Sequence, residues 1–170
     1  MADQTELQPA PTSLPEAPRG SQPAKVDDKG RVKLPVDYQR YLGEFHDNRV
    51  FVTSLPDKIV RIYPQALWKE AEAIFEDPAG DPVRADEIFD VLINNGYDSE
   101  MDKEGRILLP AKLRKVIGLE GEVVSVTTHR GVIRLELEKS VNERMAMIAA
   151  RGDFLERVNE FRRDNKAFRV

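Results

Sequence analysis

The chain contains no cysteine, only two histidines and one tryptophan. Without thiols there can be neither a disulfide scaffold nor a thiolate metal site. A histidine metal centre is poorly supplied as well. His46 and His129 have no second histidine or carboxylate at ligand spacing, so each reads as a surface residue. No apolar run approaches the roughly 20 residues of a membrane helix. The N-terminal MADQTELQPAPTSLPEAPRG lacks the charged start and apolar stretch of a secretory signal. The Walker lysine motif, the G-x-S-x-G elbow and the dinucleotide glycine run are missing too. No nucleophile, base and oxyanion set can be assembled, so the reading is not an enzyme, with no cofactor and no metal. An excess of positive charge is also lacking. The formal net charge is −4, which counts against a protein that coats nucleic acid non-specifically but leaves room for a local basic patch.

What is present is a core-forming composition over 170 residues, 41% hydrophobic and 33% charged, enough for one domain or two small ones. Residues 1–17 carry Pro9, Pro11 and Pro15 with little apolar content and read as a disordered Pro-rich tail.

The informative feature is an internal repeat. DDKGRVKLPVDYQRYLG (27–43) aligns without a gap on DKEGRILLPAKLRKVIG (102–118). Both copies share D-x-x-G-R, then an apolar residue, then Leu-Pro and an apolar helix pattern ending in glycine. Gly30 and Gly105 sit where a tight turn favours positive φ. A short strand follows, with Val32 and Leu34 on one face and Arg31 and Lys33 on the other; Ile107 and Leu109 repeat the inner face. Pro35 and Pro110 suit the first turn of a helix. Tyr38, Tyr41 and Leu42 form an apolar stripe, as do Leu113, Val116 and Ile117. Gly43 and Gly118 fit the position beyond the helix end.

A hairpin closes each copy. Residues 49–55 and 58–64 flank a Pro56-Asp57 turn, and residues 122–128 and 131–137 flank His129-Arg130. Glu136 and Glu138 are expected to alternate on the outer face of the last strand. A unit of strand, short helix and hairpin is too small to bury a core alone, whereas two packed together could do so. Between the units, Pro64 and Asp81-Pro82 announce two helices, with Leu67, Trp68, Ala71, Ile74 and Phe75 on the first and Ile88, Val91 and Leu92 on the second. After them, Ser140 to Glu143 reads as a capping box, and Asp153 to Glu156 repeats its spacing. Two C-terminal helices follow, whose Met145, Ile148, Leu155, Val158 and Phe161 suit core or subunit contacts. The domain reading is a tail over 1–17, a first module over 18–64, a helical connector over 65–97, a second module over 98–139 and C-terminal helices over 140–170.

The repeated turns are the candidate functional sites. Segments 25–42 and 100–116 each carry a local balance of +2 in an acidic protein. An arginine at a turn-to-strand junction can reach a groove or a phosphate, and its planar fork matches guanine O6 and N7. A purely structural role is equally open: Asp27 and Asp102 can hold turn amides and pair with Arg31 and Arg106.

These residues resemble the MraZ family within the AbrB-like superfamily. The resemblance runs from about Arg19 to about Leu137. It rests on Arg19-Gly20 ahead of Asp27, D-x-K-G-R-x-x-x-P at 27–35, Tyr63-Pro64 with Trp68 four residues on, and M-D-x-x-G-R-I-L-L-P at 101–110. It implies an α+β fold: two swapped-hairpin AbrB-like β-barrel halves in one chain, with helices packed outside. It also implies a ring-shaped homo-oligomer on short repeats of double-stranded promoter DNA, in a bacterial division and cell-wall gene cluster. Such a regulator would be cytoplasmic and nucleoid-associated. The family's DNA-reading arginines carry over onto Arg31 and Arg106, and Lys29 matches its first-loop lysine. With Gly30 and Gly105 shaping the turns, Lys29, Lys33 and Lys103 are expected to hold phosphates. The second loop departs from the first, with Glu104 in place of Lys29 and Leu108 in place of Lys33. Pro23 falls in the family's first strand and demotes it to an edge or an irregular segment. The alternative is an AbrB-like protein-interaction adaptor or antitoxin-type module.

Overall fold

The computed structural model describes residues 13–169. Residues 1–12 of the expected tail lie outside the described residues, and 13–17 belong to no helix or strand. The first unit consists of β1 (Gln22–Lys25), β2 (Arg31–Lys33), α1 (Val36–Gly43), β3 (Arg49–Ser54) and β4 (Val60–Pro64). The second repeats that order in β5 (Tyr97–Glu100), β6 (Arg106–Leu108), α4 (Ala111–Ile117), β7 (Val123–His129) and β8 (Val132–Leu137). Helices α2 (Gln65–Glu76) and α3 (Pro82–Asn94) connect them, and α5 (Glu138–Ala150) and α6 (Phe154–Asp164) follow.

The two units exchange their first strands. β1 pairs with β7 of the second unit, and β5 pairs with β3 of the first. Hairpins β3–β4 and β7–β8 meet through β4 and β8, giving an antiparallel six-stranded sheet in the order β1-β7-β8-β4-β3-β5. β2 and β6 form a separate two-stranded ribbon, in which Val32 faces Ile107. Pairing does not close these strands into a barrel; isolated bridges at Val26–Val32 and Met101–Ile107 link the ribbon to the sheet. The fold is thus mixed α and β with antiparallel sheets. Pro23 sits on β1, an outer strand of the sheet, as its missing N–H requires.

One core serves both units. Val32, Leu34, Tyr38 and Leu42 of the first pack in a single buried cluster with Ile107, Leu109, Leu113 and Ile117 of the second. β4 and β8 add Val60, Ile62, Ile133 and Leu135, all inaccessible to solvent. Because the periodicity of a strand is two, their alternate residues, including Arg61 and Arg134, face away from this core. A smaller aromatic cluster seats α2 and α3 on the sheet: Trp68 stacks on Phe51 at 3.9 Å between centroids, and Leu92 is buried beside them. Asp81 caps α3 by accepting from the Val83 N–H at 3.0 Å.

Several expectations are corrected. Gly118 ends α4 in the left-handed region with φ 76, but Gly43 is the last residue of α1, and the positive φ of that turn falls on His46. Pro35 and Pro110 occupy the residue before each helix rather than its first turn. Ser140 is not a cap: β8 runs directly into α5, Leu137 holds the N-cap position, and Glu138 lies in the first helical turn, where it complements the helix dipole. Glu138 therefore does not alternate with Glu136 on a strand. Ile74 on α2 and Ile88 on α3 are exposed, and neither α5 nor α6 buries a residue: Met145, Leu155 and Phe161 face solvent. Among the described residues no helix is long and apolar enough to cross a membrane.

Candidate nucleic-acid interface

Both D-x-x-G-R segments fold into the same turn. Asp27 Oδ1 accepts from the backbone N–H groups of Lys29 and Arg31, each at 2.9 Å, and Oδ2 accepts from Arg31 Nε at 2.9 Å. Asp102 does the same for Glu104 (3.0 Å), Arg106 (2.8 Å) and Arg106 Nε (2.8 Å). Gly30 and Gly105 complete the turns at φ 79 and φ 74, where a side chain would be strained. The aspartate is thus the scaffold of the turn and fixes the stem of its arginine. The Arg31 backbone N–H, chiefly, holds the Asp27 carboxyl below the ordinary aspartate range. For Asp102, partial desolvation pushes upward, but the Arg106 backbone, guanidinium and charge together outweigh it and the net shift is again downward.

The two turns lock each other. Leu34 N–H donates to the Gly105 carbonyl and Leu109 N–H to the Gly30 carbonyl, both at 2.9 Å. Gln39 Nε2 donates to the Leu34 carbonyl at 2.6 Å, and Arg114 Nε to the Leu109 carbonyl at 3.1 Å. Gln39 lies where a Cβ on Gly105 would stand, 2.1 Å from its amide carbon, and Arg114 lies 2.3 Å from where a Cβ on Gly30 would stand. The repeat contained this signal, since Gln39 and Arg114 are aligned positions, but only the contacts between the units reveal their role.

The result is one surface. In the β2–β6 register Arg31 lies opposite Leu108, and Lys33 opposite Arg106, with Val32 and Ile107 turned inward. Arg31, Lys33 and Arg106 therefore share the outer face of one ribbon, and exposed Lys29 and Lys103 sit on the turns at its ends. Its halves are unequal. The Arg106 terminal Nη2 also donates to Glu104 at 3.0 Å, whereas among the described residues no second carboxylate reaches Arg31. Leu108, 43% exposed, stands where the first copy has Lys33.

A family model described as "MraZ protein, putative antitoxin-like" matches residues 92–132, which include the second turn and most of its hairpin. The chain is 37% identical over 107 residues to the transcriptional regulator MraZ of Acidobacterium capsulatum, covering 62% of this chain and 73% of that protein. Its namesake in Koribacter versatilis is also 37% identical, with 62% and 72% covered, and that of Nitrosospira multiformis 36% identical, with 64% and 74% covered. A duplicated chain with these relatives is of the transcriptional-regulator class, not an enzyme. It belongs to the MraZ family.

Proposed function

We propose that this regulator is a sequence-specific DNA-binding protein that uses the β2–β6 ribbon as its reading head. The supporting observation is the ribbon itself: two exchanged units bring Arg31, Lys33 and Arg106 onto one outward face. A two-stranded antiparallel ribbon fits the B-DNA major groove, where arginine is matched to guanine. In this reading Arg31 and Arg106 contact bases. Lys29, Lys33 and Lys103 hold phosphates, while Gly30 and Gly105 let the two turns approach each other. Binding breaks the Arg–Asp pairs only in part, because Nε can stay on the aspartate while the outer nitrogens face the groove.

We further read the exchanged first strands as the swapped-hairpin AbrB-like arrangement, with modules over 18–64 and 98–139. The pairing of β1 with β7 and of β5 with β3, and the two bridges beside the ribbon, support it. One ribbon supplies few base contacts. A ring-shaped homo-oligomer would add others by avidity, each later contact being intramolecular. The exposed apolar side chains of α5 and α6 are suited to such assembly. The regulator would act in the cytoplasm at the nucleoid, occupying repeated elements of a division and cell-wall promoter and repressing it.

The test is a mobility-shift series on the promoter upstream of the chain's own gene, with the Arg31→Ala/Arg106→Ala double variant. Two lost arginine–guanine contacts, each worth about 1–3 kcal/mol of discrimination, predict a loss of site-specific affinity of about 30-fold or more. A folded double variant with unchanged affinity would refute the assignment.

A further inference from the structure

The hairpins of the two units differ in the charge that stands four residues before their central arginine. In the first, Asp57 stands four residues before Arg61 and pairs with both of its terminal nitrogens, Nη1 at 3.0 Å; Nη1 also donates to the Ile59 carbonyl at 3.1 Å. In the second, Arg130 stands four residues before Arg134. A carboxylate in one copy has become a cation in the other. Arg61 and Arg134 are directly opposed across β4 and β8, in the middle of the six-stranded sheet. Like charges so placed repel, and the Asp57 carboxylate pairs with only one of the two opposed arginines, Arg61.

Arg134 is the one left without it. Among the described residues no carboxylate pairs with it, and its Nε is shut off from solvent with no acceptor. Folded proteins seldom leave a buried donor in that condition. Tyr63, His129, Arg130 and Val132 complete a cleft of about 350 Å³ around the two arginines. The cleft opens on the face of the sheet away from the shared core, whereas the ribbon closes that core through Val32 and Ile107. It is therefore separate from the proposed reading head.

We infer that this cleft is a binding site for a small oxyanion, of phosphate or carboxylate class, held by Arg134 and Arg130 beside the Arg61–Asp57 pair. Guanidinium forks match the planar and tetrahedral oxygens of both groups. Two cations with no paired carboxylate among the described residues favour a doubly charged phosphate over a single carboxylate. Tyr63 and Val132, both half-buried, wall the cleft beside the arginines.

The probe is inorganic phosphate, titrated into the full-length protein at constant ionic strength and read by the Arg Nε–Hε NMR correlations and by Tm. A succinate titration, run the same way, tests the carboxylate class. The expected result is a saturable shift of the Arg134 correlation and a rise in Tm, with phosphate binding weakened at least tenfold in Arg134→Gln and in Arg130→Asp. The second variant restores the charge pattern of the first hairpin, and aspartate tolerates the φ of 50 at that position better than arginine does. Its Tm without phosphate should equal or exceed that of the wild type, which separates loss of a site from loss of fold. A response to phosphate that never saturates, or one undiminished in both variants, would overturn the site. So would an Arg134 correlation that shifts with protein concentration alone, since a neighbouring copy's carboxylate would then fill the cleft. No ribbon residue takes part in this titration, so its outcome is independent of DNA binding.

Discussion

The two D-x-x-G-R turns have nearly the same backbone and different surroundings. Their aspartates make the same three hydrogen bonds at 2.8–3.0 Å, and their glycines differ by only a few degrees in φ. Around that frame the first turn sets Lys29, Arg31 and Lys33 against Asp27 and Asp28, and the second sets Lys103 and Arg106 against Asp102 and Glu104. Shape is fixed by the shared residues: aspartate to bind the amides, glycine to turn, an apolar residue to enter the core. The residues between them carry the charge. Duplication thus supplies a nearly symmetric mount whose two halves differ in charge, and under the proposed function they would differ in the strength of their contact with DNA.

The largest expected effect separates the arginines. Arg31→Ala alone should weaken site-specific DNA binding by about 10- to 100-fold, the value of one bidentate guanine contact. Arg106→Ala should cost less, because Glu104 already engages its Nη2 and competes with a base for it. Titration calorimetry or fluorescence anisotropy on a single operator, at fixed salt, ranks the two. Equal losses would mean that the DNA displaces Glu104 and that the halves act alike.

A smaller effect should come from making the second turn resemble the first. Glu104→Lys removes the competing carboxylate and supplies the cation found at Lys29. Each added phosphate contact steepens the dependence of log affinity on log salt by about 0.9. The variant should therefore bind more tightly at low salt, by about 3- to 10-fold, with a slope steeper by about one contact. An unchanged slope would put position 104 outside the DNA footprint.

Much of this asymmetry was legible in the aligned copies, which displayed Lys29 against Glu104 and Lys33 against Leu108 before any fold was known. The turn chemistry and the inward residues Val32 and Ile107 also followed from local rules, while the edge or irregular placement of Pro23 followed from the family resemblance. Strand exchange did not. Alternation along a strand says nothing of which hairpin it joins, and β5 buries none of its four residues. Gly43 misled because a glycine after an apolar stripe marks a stop only when it adopts positive φ, and α1 keeps it helical. Ser140 misled because the buried Leu137 carries the chain straight from strand to helix. The apolar positions on α5 and α6 are plain in the sequence, yet periodicity cannot distinguish a face covered by the same chain from one left open. The roles of Gln39 and Arg114 depend on contacts between units and could be seen only once the turns were side by side.

The smallest effect concerns pH. Asp27 and Asp102 both titrate below the ordinary aspartate value of about 4. A depressed folded pKa means that the carboxylate's contribution to stability is complete above the unfolded value and is lost as pH falls through the folded one. Both turns should thus remain intact from neutral pH down to about pH 4 and loosen only below it. Asp27 has Arg31 to itself, whereas Asp102 shares Arg106 with Glu104. Asp102 should therefore titrate at the higher pH of the two, and the second turn should open first on acidification. Carboxyl chemical shifts followed by NMR give the two midpoints directly. Exchange of the Arg31 and Arg106 amides, both donors to these carboxylates, reports the opening. Coincident midpoints would show that Glu104 takes little of the Arg106 charge, and the expected difference between Arg31→Ala and Arg106→Ala would shrink accordingly.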